Sequence, residues 1–143
     1  MSTLEEHVDI DVPLDFAWER LHRVETYPRF VKGIRQARPE NGDRAHLDVD
    51  TAGTARELDA RITDRVQEHT MEWRTTGGPD LAATLSLLPL DAEHTRLQAR
   101  IAYDPGTVRE AFGGPKGFAQ ATAIERLLRD DLDHFKELVE QER

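Results

Sequence analysis

Polar and apolar residues alternate from Glu6 to Val12, with His7, Asp9 and Asp11 on one side and Val8, Ile10 and Val12 on the other. That period of two predicts a half-buried strand. Pro13 ends it, and Asp15 is placed to cap a short helix carrying Phe16, Ala17, Trp18 and Leu21. Tyr27-Pro28-Arg29-Phe30-Val31 predicts a second brief helical turn, closed by Gly33. From Ile34 onward the period of two returns, punctuated at Asn41-Gly42, Ala52-Gly53, Gly77-Gly78-Pro79 and Asp91 to His94. The intervening strands offer apolar alternate sets: Leu47, Val49 and Thr51; Leu58, Ala60 and Ile62; Met71, Trp73 and Thr75; Ala83, Leu85 and Leu87; Leu97, Ala99, Ile101 and Tyr103. Their other faces carry residues such as His46, Asp48, Glu57, Asp59, Arg61 and Arg74, so the pattern predicts an antiparallel sheet covered on one side.

The cover is supplied by the last stretch, Phe118 to Arg143, which predicts one long helix. Steps of about 100° per residue put Ala121, Ile124, Leu128, Leu132, Phe135, Leu138 and Val139 on one arc, with Leu127 at its margin. Between this helix and the last strand, Asp104 to Gly117 contains Pro105, Gly106, Gly113, Gly114 and Pro115 and is the longest irregular segment, a candidate hinge or lid. The element order is α+β: a strand, two short helices, about six further strands and a long terminal helix.

A chain of 143 residues fits one domain, residues 1–143, able to bury roughly two-thirds of its unfolded surface. It has no cysteine, which excludes disulfides, thiolate metal sites and a cysteine nucleophile and favours a cytoplasmic setting. No apolar run approaches the roughly 20 residues of a membrane span. Net charge is −9, from 28 acidic against 19 basic residues, which argues against nucleic acid as a partner. One stretch runs the other way: between Glu19 and Arg38, six Lys or Arg (Arg20, Arg23, Arg29, Lys32, Arg35 and Arg38) face only Glu19 and Glu25.

The same order of elements resembles the helix-grip fold of the START-like (SRPBCC) superfamily. Phe16-Ala17-Trp18 with Tyr27-Pro28-Arg29-Phe30, Trp73-Arg74-Thr75-Thr76-Gly77-Gly78-Pro79, Leu88-Pro89-Leu90 with Thr95-Arg96, Tyr103-Asp104-Pro105, and Asp131-Leu132 with Phe135-Lys136 resemble its bacterial polyketide cyclase/dehydrase branch across nearly the whole chain. The resemblance implies a curved sheet of about seven strands gripping the long helix, with a deep cavity between them for a hydrophobic small molecule. The residues lead to the same place, because Ala60, Ala83 and Ala99 are too small to fill the space under a sheet-spanning helix. The competing expectation is that Trp18, Trp73, Phe30, Phe118 and Phe135 plug it.

Expected ligand contacts from the strands are Thr51, Leu58, Ala60, Met71, Trp73 and Thr75, followed by Leu85, Ala99 and Tyr103. Phe30 joins them from the second short helix, and Phe118, Ile124, Leu128 and Asp131 from the long one. Asp131 falls inside the apolar arc, where desolvation raises a carboxyl pKa unless a cation or backbone amides compensate. It is either a proton-shuttling acid or base or a structural carboxylate. Tyr103 either offers its hydroxyl to a bound carbonyl or satisfies it on the backbone. The related aromatase/cyclases are thought to hold substrate with pocket arginines on central strands. Ile62 and Arg74 stand at or near those positions here, and Arg74 points away if Trp73 points in, which removes the expected stabiliser of an enolate.

Ser2 and Ser86 are the only serines, and neither lies in a nucleophile setting. The six histidines lack zinc-site spacing, Asp130 and His134 read as a solvated pair, and no Walker loop or dinucleotide fingerprint occurs, so neither metal nor cofactor is expected. The catalytic residues and oligomeric state are not specified. The leading expectation is a cyclase or dehydratase acting on a polyketide-derived or aromatic molecule, with an acyl carrier protein as a possible partner at the basic stretch. The alternatives are a carrier of a lipid, isoprenoid or quinone, and an interaction module without ligand.

Overall fold

The period-two stretches become seven strands. In the computed structural model, which describes residues 2–51, 54–76, 80–104, 106 and 121–142 (side chains at 2, 51, 54 and 121–125 excepted), β1 (Ser2–Ile10) leads into α1 (Leu14–Leu21) and a 3-10 helix (Val24–Arg29). Then come β2 (Ile34–Pro39), β3 (Arg44–Thr51), β4 (Thr54–Arg65), a 3-10 turn (Val66–Glu68), β5 (Thr70–Thr75), β6 (Leu81–Asp91), β7 (His94–Tyr103) and α2 (Ala121–Glu142). The strands form one antiparallel sheet in the order β1-β7-β6-β5-β4-β3-β2. The first strand therefore pairs with the last, Leu4 opposite Ile101 and Ile10 opposite Thr95. The short β2 makes the far edge.

The alternation sorts side chains as expected. Leu47, Val49, Leu58, Ala60, Met71, Trp73, Leu87, Leu97, Ala99 and Tyr103 are buried, while Glu57, Asp59, Arg74, Gln98 and Arg100 are exposed. Leu128, Leu132, Phe135 and Val139 of α2 face this dry side and are buried. Polar links fasten the helix in place: Asp11 N–H donates to Glu140 Oε2 at 2.8 Å, and Arg20 Nε lies 3.1 Å from Glu142. Arg129 reaches Glu6 at 3.0 Å.

Three local expectations are corrected. Asp15 does not cap α1: Pro13 occupies that position with extended backbone, no side-chain cap bond forms, and Asp15 lies inside the first turn. A proline fixed in φ is preorganised to enter a helix without a polar cap. The second short helix begins at Val24 and is of the 3-10 type, with Pro28 inside it and the Tyr27 hydroxyl donating to the Leu21 carbonyl at 2.6 Å. The β4–β5 connection lacks Gly, Pro or Asn, and turns instead through His69 at φ 52°. The Asn41-Gly42 turn does form, with Gly42 at φ 70°. The Ala52-Gly53 and Gly77-Gly78-Pro79 turns, the irregular segment beyond Asp104 apart from Gly106, and residues 118–120 of the expected helix lie outside the described residues.

Thr95 is fully buried, and its hydroxyl donates to the Val12 carbonyl at 2.8 Å. Thr95→Val is expected to lower stability by about 1–3 kcal/mol, because the buried carbonyl loses its donor. Urea denaturation measures this, and an unchanged midpoint would show that the bond contributes nothing.

Candidate functional site

Between the dry face of the sheet and α2 lies a cavity of about 380 Å³, walled almost wholly by carbon. Small and aliphatic residues make much of its wall: Ala60, Ala83 and Ala99 all line it, with Leu58, Leu85 and Ile101. The rings of Tyr27, Phe30, Trp73 and Phe135 line it as a cluster. Phe30 packs edge-on against Phe135 at 4.9 Å between centroids, and Tyr27 stands 5.0 Å from Phe30 and 5.2 Å from Trp73. A void thus remains beside the alanines, and Phe30, Trp73 and Phe135, expected as plugs, stand in its wall. Trp18 takes no part; it packs 4.5 Å from His22 and 6.1 Å from His69.

Of the expected contacts, Phe30, Leu58, Ala60, Trp73 and Thr75 line the cavity. Leu85, Ala99, Tyr103, Leu128 and Asp131 do so as well. Met71 does not. It is fully buried behind Tyr27, whose hydroxyl lies 3.9 Å from its Sδ, so the sulfur packs on the aromatic cluster rather than facing the void. The Thr51 and Ile124 side chains and Phe118 lie outside the described residues. Sequence reasoning passed over Tyr27, Leu81 and Leu127 as walls. The Tyr27-Pro28-Arg29-Phe30 spacing carried a signal for Tyr27, since a 3-10 turn puts residues three apart on one side.

Polar groups are few. Tyr103 is buried, and its hydroxyl has no hydrogen-bond partner among the described residues, so the backbone-satisfied alternative does not hold. Trp73 Nε1, beside the Tyr27 ring, is likewise buried without a partner. Thr75 Oγ1, expected as an inward polar group, is instead held by the main chain: it accepts from Leu81 N–H at 3.0 Å and lies 3.3 Å from the Leu81 carbonyl. Asp131 is half-buried and accepts Lys32 N–H at 3.2 Å. Burial pushes its carboxyl pKa up to about 6, and the Lys32 amide opposes the rise only in part. Arg74 touches the rim but is exposed, and borders an outer hollow shared with Arg61 and Glu72.

Outside the cavity the sheet register assembles a group that sequence spacing hid. His46 pairs with Asp59, and Asp48 with Glu57, across β3 and β4. The imidazole therefore meets Asp59 at 2.8 Å, Asp48 at 3.2 Å and Glu57 at 3.3 Å. The Asp59 hydrogen bond, aided by Glu57, raises the histidine pKa above its ordinary value. The basic stretch is largely neutralised: Arg20 and Arg29 reach Glu142, Arg23 reaches Glu19, and Arg35 lies 3.6 Å from Asp50. No helix among the described residues is long and apolar enough to cross a membrane.

A curved antiparallel sheet, a gripping helix and an apolar cavity between them define a START-like fold. The chain belongs to the family described as polyketide cyclase / dehydrase and lipid transport, whose profile matches residues 1–140. It is 28% identical over 142 residues to an uncharacterised 17.2 kDa protein of Streptomyces lincolnensis, covering 99% of this chain and 91% of that one. Among solved structures, the Zhui aromatase/cyclase of Streptomyces sp. R1128 superposes with a TM-score of 0.77 at 22% identity, covering 98% of this chain and 94% of its own. The di-domain aromatase/cyclase BexL gives 0.74 at 18% identity, covering 98% of this chain and 47% of its own. A START superfamily protein of Mycobacterium smegmatis gives 0.69 at 14% identity over 98% of this chain and 95% of its own.

Proposed function

We propose that this protein encloses a hydrophobic, polyketide-derived or aromatic molecule in the cavity and promotes its aldol-type closure or dehydration. What carries the proposal is the pairing, in the wall of one apolar cavity, of an unpartnered buried Tyr103 hydroxyl with an Asp131 carboxyl whose pKa is about 6. A carboxyl titrating near neutrality both takes and returns a proton efficiently. Asp131 takes a proton from a carbon next to one carbonyl, the terminal methyl in a linear triketone, and the resulting enolate attacks the carbonyl five carbons along, oriented by Tyr103. The new alkoxide receives the proton, and loss of water removes one further C–H proton together with the hydroxyl. The carboxyl ends as it began. Confinement of a flexible chain near its closing geometry supplies the rest of the rate.

The cavity stands toward the lower end of the roughly 300–1,000 Å³ range of small-molecule sites, which suits one or two fused rings. Incubation with heptane-2,4,6-trione tests the activity: the protein is expected to speed its conversion to 5-methylresorcinol and water above the buffer rate. Binding without any acceleration would overturn the catalytic reading and favour a carrier of a lipid, isoprenoid or quinone. That second reading is supported by one observation: no arginine is buried among the described residues, so an enolate lacks the expected cationic partner. Native mass spectrometry showing a co-purifying isoprenoid or quinone would support it. An acyl carrier protein docking on the basic stretch has less behind it, because Arg20, Arg23, Arg29 and Arg35 already face carboxylates.

A further inference from the structure

The polar inventory of the cavity wall also defines which hydrophobic molecules fit, provided the cavity is the ligand site. Among the described residues lining it, the hydrogen-bonding side-chain groups besides Thr75 and the exposed Arg74 are the Tyr103 and Tyr27 hydroxyls, Trp73 Nε1 and the Asp131 carboxyl. The Tyr27 hydroxyl already donates to the Leu21 carbonyl, which leaves Tyr103 as the hydroxyl donor in need of an acceptor. A buried hydroxyl with no partner costs stability that an acceptor atom on a guest restores. No buried cation stands in the wall among the described residues. Arg74 touches the rim, but it alternates with Trp73 and Thr75, is exposed, and belongs to the hollow shared with Arg61 and Glu72.

The charged groups bearing on Asp131 are Lys32, from the turn after the 3-10 helix, and Asp130 and His134 of α2. All three are exposed, so water screens them. A carboxylate guest entering this cavity loses its hydration, finds no buried cation among the described residues and meets the Asp131 carboxylate in a medium of low dielectric. A ketone of the same shape meets neither penalty.

We propose that the cavity selects neutral hydrophobic molecules bearing an acceptor oxygen, which Tyr103 receives, and turns away equally hydrophobic carboxylates through Asp131. The selectivity follows from a wall with one acidic side chain, one free hydroxyl donor and, among the described residues, a single basic residue, Arg74, which is exposed to water.

Three probes of matched size separate the contributions: 2-acetylnaphthalene, 2-naphthoate and 2-ethylnaphthalene, with binding measured by equilibrium dialysis at pH 7.5. The ketone is expected to bind about 5–10-fold tighter than the ethyl compound through the Tyr103 hydrogen bond. The carboxylate is expected to bind at least about 10-fold more weakly than the ketone. Tyr103→Phe should erase the ketone's advantage over the ethyl compound, whose unchanged affinity reports an intact cavity. Asp131→Asn should raise naphthoate affinity about 10-fold and leave the ethyl compound within about twofold. Naphthoate binding as tightly as the ketone, or a ratio that Asp131→Asn does not move, overturns the selectivity while the cavity remains a ligand site. Failure of all three probes to bind overturns both the selectivity and the reading on which it rests.

Discussion

Phe135→Ala is expected to destabilise the protein by about 3–5 kcal/mol, the range for removing a fully buried ring from a core that relaxes only in part. Phe135 is 1% exposed, projects from the middle of α2, and meets Phe30 edge-on at 4.9 Å. Its loss removes the contact by which the helix holds the aromatic cluster of the cavity wall. It also extends an existing void instead of creating a separate one, so collapse onto the gap is hindered. For a chain of this size such a loss lowers the melting temperature by roughly 10–20 °C. Leu127→Ala provides the comparison, because Leu127 is 36% exposed and a change there is expected to cost about 1 kcal/mol or less. Equal melting temperatures for the two variants would show that α2 is not seated through Phe135.

Asp131→Asn is expected to act in two opposite directions. If the carboxyl shuttles the proton, closure of the triketone slows by about 10²-fold or more, the usual contribution of a positioned acid–base group. Stability moves the other way. The folded-state pKa of about 6 lies above the ordinary value of 3.8, so the folded protein binds this proton more tightly than the unfolded chain does. The stabilisation by protonation is fully present below about 3.8, and is lost as pH rises through about 6. At pH 7.5 the folded protein bears the cost of a half-buried carboxylate, about 1–2 kcal/mol once its partial exposure to water is allowed for. Asparagine removes that cost and can still accept the Lys32 amide. The variant should therefore be more stable than the parent at pH 7.5 and match it near pH 4, as read by urea midpoints at each pH. A less stable variant at pH 7.5 would mean that the carboxylate is a structural partner.

What the chain disclosed of this arrangement depended on the range of the interaction. The dry alternates and the helical arc are local periodicities, and they located Ala60, Ala99, Leu128 and Asp131 around one cavity before any contact was known. The alanines were informative because a missing side chain is as legible as a present one. Properties set by partners were not. Tyr103 gave no sign that its hydroxyl lacks a neighbour. Met71 alternates with Trp73 yet is screened from the void by Tyr27, a residue delivered by a different element. The carboxylates around His46 come together only through the β3–β4 register. The basic stretch reads as a cationic surface when charges are counted along the chain, and as a set of ion pairs once the end of α2 brings Glu142 to Arg20 and Arg29.

The placement of β2 at the rim of the sheet has a colloidal consequence. An unpaired strand margin is a template on which another chain can add, and here that margin is only six residues long, carries Arg35 and Arg38, and ends in Pro39, which has no N–H to offer. A bulge between Ile34 and Gln36 further breaks its regularity. Concentrated solutions of the folded protein are thereby protected against strand-by-strand growth from this side, so that a hollow, incompletely filled interior need not bring with it a tendency to fibrillate.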